Sequence, residues 1–230
     1  MITKIPGDGA ISPEIISSFF GEEAVERTRE AIVQYARLMA YYRCAMMEIE
    51  TKLNVLNEEF SLRYDRNPIT DVKTRLKRPE SIREKLARSG HPMTLESIEE
   101  NLSDVAGVRV ICSFPADVYT LADALLSQDD ITLLARKDYI RSPKPNGYRS
   151  LHLVVSVPIF LEKEKRMMRV EIQLRTIAMD TWASLEHQLR YKKDNVFTPE
   201  MAEELLRCAS LSAELDERMD ALRRMTGLDA

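Results

Sequence analysis

The sequence has little glycine, only 7 residues in 230, and it lacks the glycine-rich motifs that bind phosphate through backbone N–H groups. Neither G-x-x-x-x-G-K-[ST] nor G-x-G-x-x-G occurs, which excludes a P-loop and a Rossmann dinucleotide site. H-E-x-x-H and G-x-S-x-G are also missing, which excludes the usual zinc-protease and serine-hydrolase sites. Any phosphate that this protein binds must therefore be held by side-chain cations.

Cysteine is scarce as well, and Cys44, Cys112 and Cys208 are widely spaced with no Cys-x-x-Cys pair. This pattern predicts free thiols in a reducing compartment and argues against a zinc site. No apolar run reaches the roughly 20 residues that a membrane helix needs, and the first residues show no basic-then-apolar signal pattern. We therefore expect a cytoplasmic protein with no membrane segment.

The chain also lacks an excess of positive charge, because its net charge is −4, and this excludes a basic nucleic-acid coat protein. With 44% hydrophobic and 30% charged residues, the composition is typical of a globular domain. Two local clusters of cations, in residues 71–90 and 136–149, stand out against this background. Such clusters in an acidic protein indicate a focused anionic ligand such as phosphate.

A long helix is predicted over about residues 22–60. Apolar residues recur every seven positions from Val25 through Ile32 to Phe60, and a second row runs between them from Thr28 to Leu56. The two rows form an a/d seam. Because such a helix is roughly 55–60 Å long at 1.5 Å per residue, we expect part of the seam to pack on the domain and part on another helix or subunit.

Shorter periodic segments predict a small sheet surrounded by helices. Strands are expected near residues 105–114, 131–140, 148–161 and 167–174, and helices near 79–88, 116–127, 178–191 and 199–225, the last with an apolar face from Leu205 to Leu222. The fold class is α+β, a small mixed sheet flanked by helices, with long N- and C-terminal helices. We divide the chain into a leader with its helix (1–67), a central domain (68–192) and a C-terminal helix (193–230).

Basic residues cluster around the helix predicted to start near residue 79. Ser81 and Lys85 share one helical face, and Arg75 and Lys77 precede it. The free N–H groups of a helix N-terminus, together with nearby cations, favour a phosphate chain. The alternative is an ordinary solvated basic face.

Two carboxylates and one arginine belong to the predicted strands. Asp104 stands at the entry of the strand that carries Arg109, and Glu171 lies on the polar face of the strand 170–175. Two carboxylates among many cations are a usual means of holding Mg²⁺ against polyphosphate, although they could also form surface salt bridges. Arg109, between two valines, needs a carboxylate, a phosphate or a stacked base as its partner.

The segment from residue 138 to residue 152 surrounds a Pro-Asn-Gly turn with cations and an aromatic ring. Tyr148 offers a flat ring for a base, and Lys144 offers its charge to phosphates. Gly147 allows a close approach to the backbone. The alternative is that Tyr148 and His152 are ordinary core residues.

Five motifs follow one another between residues 73 and 191. They are R-x-K-x-x-x-S-I-x-x-K from Arg75, D-x-A-G-x-R from Asp104, K-x-N-G-Y-R-S-x-H from Lys144, E-I-Q-x-R-T from Glu171 and W-A-x-x-E-H from Trp182. In this order they resemble the synthetase domain of the RelA/SpoT family. Because no hydrolase or regulatory domain accompanies them, the chain resembles the small, single-domain alarmone synthetases of that family.

The resemblance implies a nucleotidyltransferase-like fold and the Mg²⁺-dependent transfer of pyrophosphate from ATP to the 3′-hydroxyl of GTP or GDP, giving AMP and pppGpp or ppGpp. It also implies a homo-oligomer, expected to be a tetramer built on the terminal helices, and it leaves open whether an alarmone or a single-stranded RNA regulates the protein. Two alternatives stay open. One is a toxin-like relative that pyrophosphorylates adenosine nucleotides or tRNA 3′ ends, and the other is a catalytically silent nucleotide- or RNA-binding module.

The resemblance further implies a role for each matching residue. Arg75 and Arg109 would sandwich adenine. The ATP phosphates would be bound by Lys77, Ser81 and Lys85. Asp104 and Glu171 would hold Mg²⁺, and Glu171 would take the proton from the 3′-hydroxyl. Tyr148 would stack on guanine, and the other acceptor-side residues would be Arg136, Lys137, Lys144, Asn146, His152, Gln173 and Asp180.

Asp180 departs from the family pattern, in which some members have an asparagine beside the guanine edge. A carboxylate at this position could accept hydrogen bonds from guanine N1–H and N2–H together. The sequence therefore leaves the choice of acceptor open.

Overall fold

The computed structural model describes residues 22–64, 66–191 and 197–227. The chain separates into two compact units, residues 1–40 and residues 41–230. Its elements are α1 (Glu22–Tyr64), β1 (Ile69–Leu76), α2 (Pro79–Arg88), α3 (Leu95–Asn101), β2 (Ala106–Cys112), α4 (Pro115–Leu126), β3 (Thr132–Asp138), β4 (Leu151–Phe160), β5 (Lys165–Thr176), α5 (Ile177–Tyr191) and α6 (Pro199–Met225).

The five strands form one mixed sheet in the order β1-β2-β5-β4-β3. Only β2 and β5 run parallel, and the other three pairs are antiparallel. Along β5 the side chains alternate, so that Val170, Ile172 and Leu174 are fully buried while Glu171 and Gln173 are only partly buried on the opposite face. The predicted α+β class with a mixed sheet is confirmed, and the alternation gives this sheet one core face and one polar face.

Helix α1 starts at the predicted residue, ends at Tyr64, four residues beyond the predicted end, and is unequally buried along its length. In the unit that starts at Tyr41, the seam residues Tyr42, Ile49 and Leu53 are buried to 2% exposure or less. In the unit that ends at Ala40, Ile32 is 63% exposed. Its second half therefore carries core residues, as predicted for part of the seam.

Two elements were not predicted from the sequence. The segment before Pro79 was interpreted only as a short basic stretch, but it forms the edge strand β1, where most side chains are exposed and no apolar alternation marks the strand. Helix α3 was also missed because it has only 7 residues. Thr94 caps it, since its hydroxyl accepts a hydrogen bond from the Ser97 N–H at 3.2 Å.

Helix α6 has the predicted bounds, but the predicted apolar face does not face the core. Leu211 and Leu222 on that face are 64% and 53% exposed. The helix is instead buried at Ala209, Asp216 and Arg223, seven residues apart. The reason is that small and polar groups fix it: the Asp216 Oδ2 atom accepts hydrogen bonds from Arg149 at 3.1 Å and from Thr176 at 3.0 Å.

Within the described ranges, no helix has the length and apolar character needed to span a membrane.

Candidate active site

The polar face of the sheet presents a row of side chains in register across all five strands. Lys73 of β1 pairs with Arg109 of β2, which pairs with Gln173 of β5. Gln173 pairs with His152 of β4, which pairs with Lys137 of β3. Because in-register neighbours point to the same face of a sheet, these residues form one polar surface.

A cavity of about 490 Å³ opens on the β1–β2–β5 side of this surface. The predicted site residues that line it are Arg75, Lys77, Ser81, Asp104, Arg109, Glu171 and Gln173. The structure thus brings together both predicted metal ligands and four of the five predicted donor-side residues, while the fifth, Lys85, does not line the cavity but contacts Asp104. Gly107, between Glu171 and Arg75 in the register, lacks a side chain and leaves the cavity open at this point.

Asp104 lies between two lysines at the donor end of the cavity. Lys77 Nζ is 2.9 Å from Oδ2, and Lys85 Nζ is 2.9 Å from Oδ1. Burial favours the neutral acid, but the hydrogen bonds from Lys85 and Lys77 outweigh it and hold the pKa of Asp104 below its ordinary value. The carboxylate is therefore ionised at neutral pH, and it brings the predicted phosphate-binding lysines to the cavity.

Glu171 is the second carboxylate of the cavity and is held from the acceptor side. Gln173 Nε2 donates to Oε2 at 2.9 Å, and His152 Nδ1 is 3.6 Å from Oε1. Burial raises the pKa of Glu171, but the contacts from His152 and Gln173 outweigh this and leave the pKa below its ordinary value. Glu171 is thus ionised at neutral pH and lies between the two halves of the site.

Tyr148 stands at the acceptor end of the polar face, directly after the turn. Its hydroxyl accepts a hydrogen bond from Arg175 Nη2 at 2.6 Å and shares another with His152 Nε2 at 2.8 Å. Lys144 Nζ lies 4.8 Å from the centre of the ring. The ring also packs against a buried cluster that includes Trp182. Tyr148 is therefore a half-buried ring whose orientation is fixed by hydrogen bonds.

The turn before Tyr148 has a conformation that only glycine adopts without strain. Gly147 has a φ of 89°, and a Cβ added there would lie 2.4 Å from the Cβ of Ala209 on α6. The Asn146 side chain serves the turn itself, because its Oδ1 accepts from the Tyr148 N–H at 3.2 Å and its Nδ2 donates to Glu186 at 3.3 Å. Helix α6 thus supports the segment that carries the aromatic ring.

The structure separates two cations that the resemblance assigned to the acceptor phosphates. Lys137 pairs with His152, on the polar face of the sheet. Arg136 pairs with the core residue Leu153, and its Nη1 lies 3.5 Å from Asp123 of α4, which covers the opposite face. Successive strand residues alternate between faces, so Arg136 does not join the other predicted site residues.

Arg175 was not assigned a role from the sequence, although it links three other side chains of this surface. It is 4% exposed and donates to Asp180 Oδ1 at 3.0 Å, to Tyr148 at 2.6 Å and to Gln173 Oε1 at 3.0 Å. The available signal was its position on the polar face of β5, four residues after Glu171. The alternation showed the face, but a sequence cannot show which partners the guanidinium meets.

Comparison with known proteins agrees with this geometry. Residues 74–196 match the family described as "Region found in RelA / SpoT proteins". The chain is 42% identical over 183 residues to the GTP pyrophosphokinase YwaC of Bacillus subtilis, covering 80% of this chain and 87% of the relative. It is 36% identical over 190 residues to the GTP pyrophosphokinase YjbM of the same organism, covering 83% and 89%.

Solved structures give the same result. Small alarmone synthetase 1 from Bacillus subtilis, bound to its product pppGpp, matches with a TM-score of 0.76 and 35% identity. The match covers 84% of this chain and 97% of that structure. Small alarmone synthetase 2 from the same organism matches with a TM-score of 0.76 and 39% identity, over 83% of this chain and 98% of that structure. Since the family match spans residues 74–196 and these relatives are covered over most of their length, this chain belongs to the RelA/SpoT family.

Proposed function

We propose that this protein is a (p)ppGpp synthetase that transfers pyrophosphate from ATP to the 3′-hydroxyl of GTP or GDP and releases AMP. One observation carries the proposal: a single polar sheet face joins a cation-lined cavity with two ionised carboxylates to a segment that holds an aromatic ring. The names of the relatives, GTP pyrophosphokinases, and the pppGpp complex of a solved relative support it.

The donor nucleotide would occupy the cavity between β1, β2 and α2. Arg75 and Arg109 both line it and are suited to stack on either side of adenine. Lys77, Ser81 and Lys85 would bind the phosphate chain. The N-terminus of α2, which begins at Pro79, adds free N–H groups that favour negative charge near Ser81.

Mg²⁺ would bind between Asp104 and Glu171. The two residues fit this ion, because both line the same cavity, both are ionised at neutral pH, and carboxylate oxygens are ligands that Mg²⁺ prefers. In nucleotide sites the ion usually takes one or two carboxylates from the protein and its other ligands from phosphate and water. When bound, it would neutralise charge on the transferred phosphates.

The acceptor nucleotide would lie on the β4 side of the same face. Tyr148 would stack on guanine, and the phosphates would meet Lys137, Lys144 and His152. Gln173 would support the acceptor through its position between Glu171 and Arg175. Arg136 is left out of this set because it lies in register with the opposite face.

In the proposed reaction the 3′-oxygen of the acceptor attacks the β-phosphorus of ATP. The new O3′–Pβ bond forms while the bond between Pβ and the α,β-bridging oxygen breaks, and AMP leaves with that oxygen. Glu171 accepts the proton of the 3′-hydroxyl. The residues need only align the reactants and neutralise charge, which is the usual basis of phosphoryl-transfer catalysis.

We also propose that the protein works as a homo-oligomer, a tetramer by analogy with its family. The exposed apolar residues of α6, among them Leu215 at 52% and Leu222 at 53%, support this. An apolar groove of about 530 Å³ between α5, α6 and the start of α4 lies beside them. Large exposed apolar patches of this kind are usually covered in an assembly.

The proposal is tested by incubating the protein and Mg²⁺ with labelled ATP and one acceptor at a time, namely GTP, GDP, a second adenosine nucleotide or tRNA. We expect pppGpp from GTP, ppGpp from GDP, and AMP in both reactions. Pyrophosphorylated adenosine nucleotides or pyrophosphorylated tRNA 3′ ends would instead support the toxin-like alternative. Nucleotide binding without any turnover would support a silent binding module.

A further inference from the structure

We propose that Arg175 is a positioning residue that fixes the base-contacting side chains of both nucleotide sites, Tyr148 on the acceptor side and, through Asp180, Arg109 on the donor side. This inference rests on the proposed function, which assigns the two bases to those side chains. Arg175 would contact neither base itself but would fix the positions of Tyr148 and Arg109 relative to each other.

The first support is the environment of the guanidinium. Arg175 is 4% exposed, at the end of β5. Removing such a charge from water is costly unless it is paired and hydrogen-bonded, and here Nη1 and Nη2 make three hydrogen bonds to Asp180, Tyr148 and Gln173, while the buried Nε has no hydrogen-bond partner among the described residues. Since the guanidinium is planar and rigid, satisfying three partners fixes their positions relative to one another.

On the acceptor side, Arg175 determines where the Tyr148 ring can lie. Its Nη2 donates to the phenolic oxygen at 2.6 Å, and its guanidinium carbon lies 5.1 Å from the ring centre. The hydroxyl and the ring are therefore held by the same group. The hydrogen bond between the Tyr148 hydroxyl and His152 Nε2, at 2.8 Å, completes the restraint.

On the donor side, the restraint passes through one carboxylate oxygen. Asp180 Oδ1 accepts from Arg175 Nη1 at 3.0 Å and lies 3.4 Å from Arg109 Nη1. Two guanidinium groups thus share one anion. Burial and the charge of Arg175 lower the pKa of Arg109, and Asp180 opposes this, so the carboxylate is what keeps two mutually repelling cations close together.

This arrangement gives Asp180 a different role from direct guanine recognition. Its Oδ1 is shared by Arg175, at 3.0 Å, and Arg109, at 3.4 Å. Removing its charge would leave two partly desolvated cations facing each other, and Arg109, which is the more exposed of the two, would move toward the solvent. The donor site is therefore expected to respond to a change at Asp180.

Two variants and one control separate these roles. Arg175→Lys keeps the charge, but a single ammonium cannot reproduce the fork that reaches both Asp180 and Tyr148. Asp180→Asn keeps the shape and removes the shared charge. Arg169→Lys is the matched control, because Arg169 lies on the same strand and donates to the Glu100 carbonyl at 2.7 Å, away from the cavity.

The readout is equilibrium binding by calorimetry, with a non-hydrolysable ATP analogue and with GDP, in protein whose fold is checked by circular dichroism. Arg175→Lys should weaken both nucleotides about tenfold, the loss expected when a hydrogen bond to a charged group is broken. Asp180→Asn should weaken the ATP analogue, while Arg169→Lys should bind both as the wild type does.

An Arg175→Lys protein that loses affinity for only one nucleotide, or for neither, overturns the inference. If Arg175→Lys does not fold, Asp180→Asn alone tests the proposed link to Arg109 on the donor side. A loss of affinity for GDP only would contradict that link. Binding requires no turnover, so these results are independent of the proposed reaction. A wild type that binds both nucleotides but makes no product would contradict the proposed function alone.

Discussion

At the scale of single residues, the site depends on carboxylates kept ionised by neighbouring basic and hydrogen-bonding side chains. Asp104 is held by Lys77 and Lys85, and Glu171 by Gln173 and His152. Ionised carboxylates can both hold a cation and accept a proton, which the proposed reaction requires of Glu171. Their neighbours are themselves substrate-binding residues in the proposal. The same contacts would therefore keep the carboxylates ionised and position the side chains that bind the substrates.

The role of Glu171 predicts the effect of removing its charge. Glu171→Gln keeps the shape but loses a metal ligand and the base, and loss of a general base alone typically lowers turnover about 10²–10⁴-fold. Asp104→Asn should behave similarly, and the double variant should be no worse than the poorer single variant, as for residues that act as a unit. Turnover is measured as AMP release with thermal unfolding as the check on folding.

Glu164→Gln, at an exposed position in the turn between β4 and β5, is the matched control and should keep wild-type turnover. If folded Glu171→Gln also retained near-normal turnover, the catalytic carboxylate would have to lie elsewhere.

The proposed stacking of Tyr148 predicts a selective loss of acceptor affinity. Tyr148→Ala should lose roughly 1–3 kcal/mol of GTP binding, the usual contribution of a base stacked on an aromatic ring. This loss should raise KM for GTP and leave KM for ATP nearly unchanged. Tyr148→Phe, which keeps the ring, should lose less. Equal effects of Tyr148→Ala on both KM values would identify Tyr148 as a core residue.

The position of a residue in the site could be predicted from the sequence only where a family motif agreed with the alternation of apolar and polar residues along a strand. Glu171 and Gln173 lie on the polar face of β5, as the alternation required. Arg136 was placed with the acceptor residues, but the register of an edge strand, which a single sequence does not reveal, turns it to the other face. The partners of Arg175 depend on contacts between residues far apart in the chain, which no local pattern encodes.

At the scale of elements, the strands and helices with a clear apolar periodicity were predicted, and those with a weak periodicity were not. Strands β2 and β5 combine a continuous core face with a polar face, and α2 starts with proline. The edge strand β1 is largely exposed and carries several charged residues in place of an apolar alternation. Its sequence therefore resembles that of a loop. The site nevertheless needs β1, because it contributes Arg75 to the cavity.

The contact between α6 and the turn at Gly147 predicts a coupled loss of stability and acceptor affinity. Gly147→Ala would place a Cβ 2.4 Å from that of Ala209 and force a positive φ, which alone costs about 1–2 kcal/mol for a residue with a Cβ. Denaturant unfolding should show reduced stability, and KM for GTP should rise because Tyr148 follows directly.

Adding Ala209→Gly to this variant should restore part of both losses, since it removes the clash while the strained φ remains. Wild-type stability and KM in Gly147→Ala would mean that the turn is not held by α6.

At the scale of the whole molecule, exposed apolar surface remains on α6. Leu211, Leu215, Met219 and Leu222 are all at least 46% exposed, beside an apolar groove that includes Trp182. The predicted apolar periodicity of this helix was real, but its partner is not in the core of the described chain. Periodicity indicates that a face is to be buried and does not say by what.

Assembly through α6 predicts an oligomer at micromolar concentration in light scattering. Leu215→Glu places a charge in the apolar groove and should reduce the measured mass, because a buried unpaired charge is strongly unfavourable. Lys163→Glu, in the exposed turn between β4 and β5, introduces the same side chain and should leave the mass unchanged. A wild type that scatters as a monomer would contradict the proposed assembly.

The central claim is that the β- and γ-phosphates of ATP move together to a guanosine 3′-hydroxyl. The direct measurement uses ATP labelled separately at the α- and β-phosphates, with GTP as acceptor and product separation after one turnover. The proposal predicts the α-label in AMP and the β-label on the guanosine product, in equal amounts. A β-label in ADP would mean that a different bond breaks, and a β-label in free pyrophosphate would mean that the pyrophosphate does not reach the guanosine hydroxyl; either result would contradict the proposed reaction.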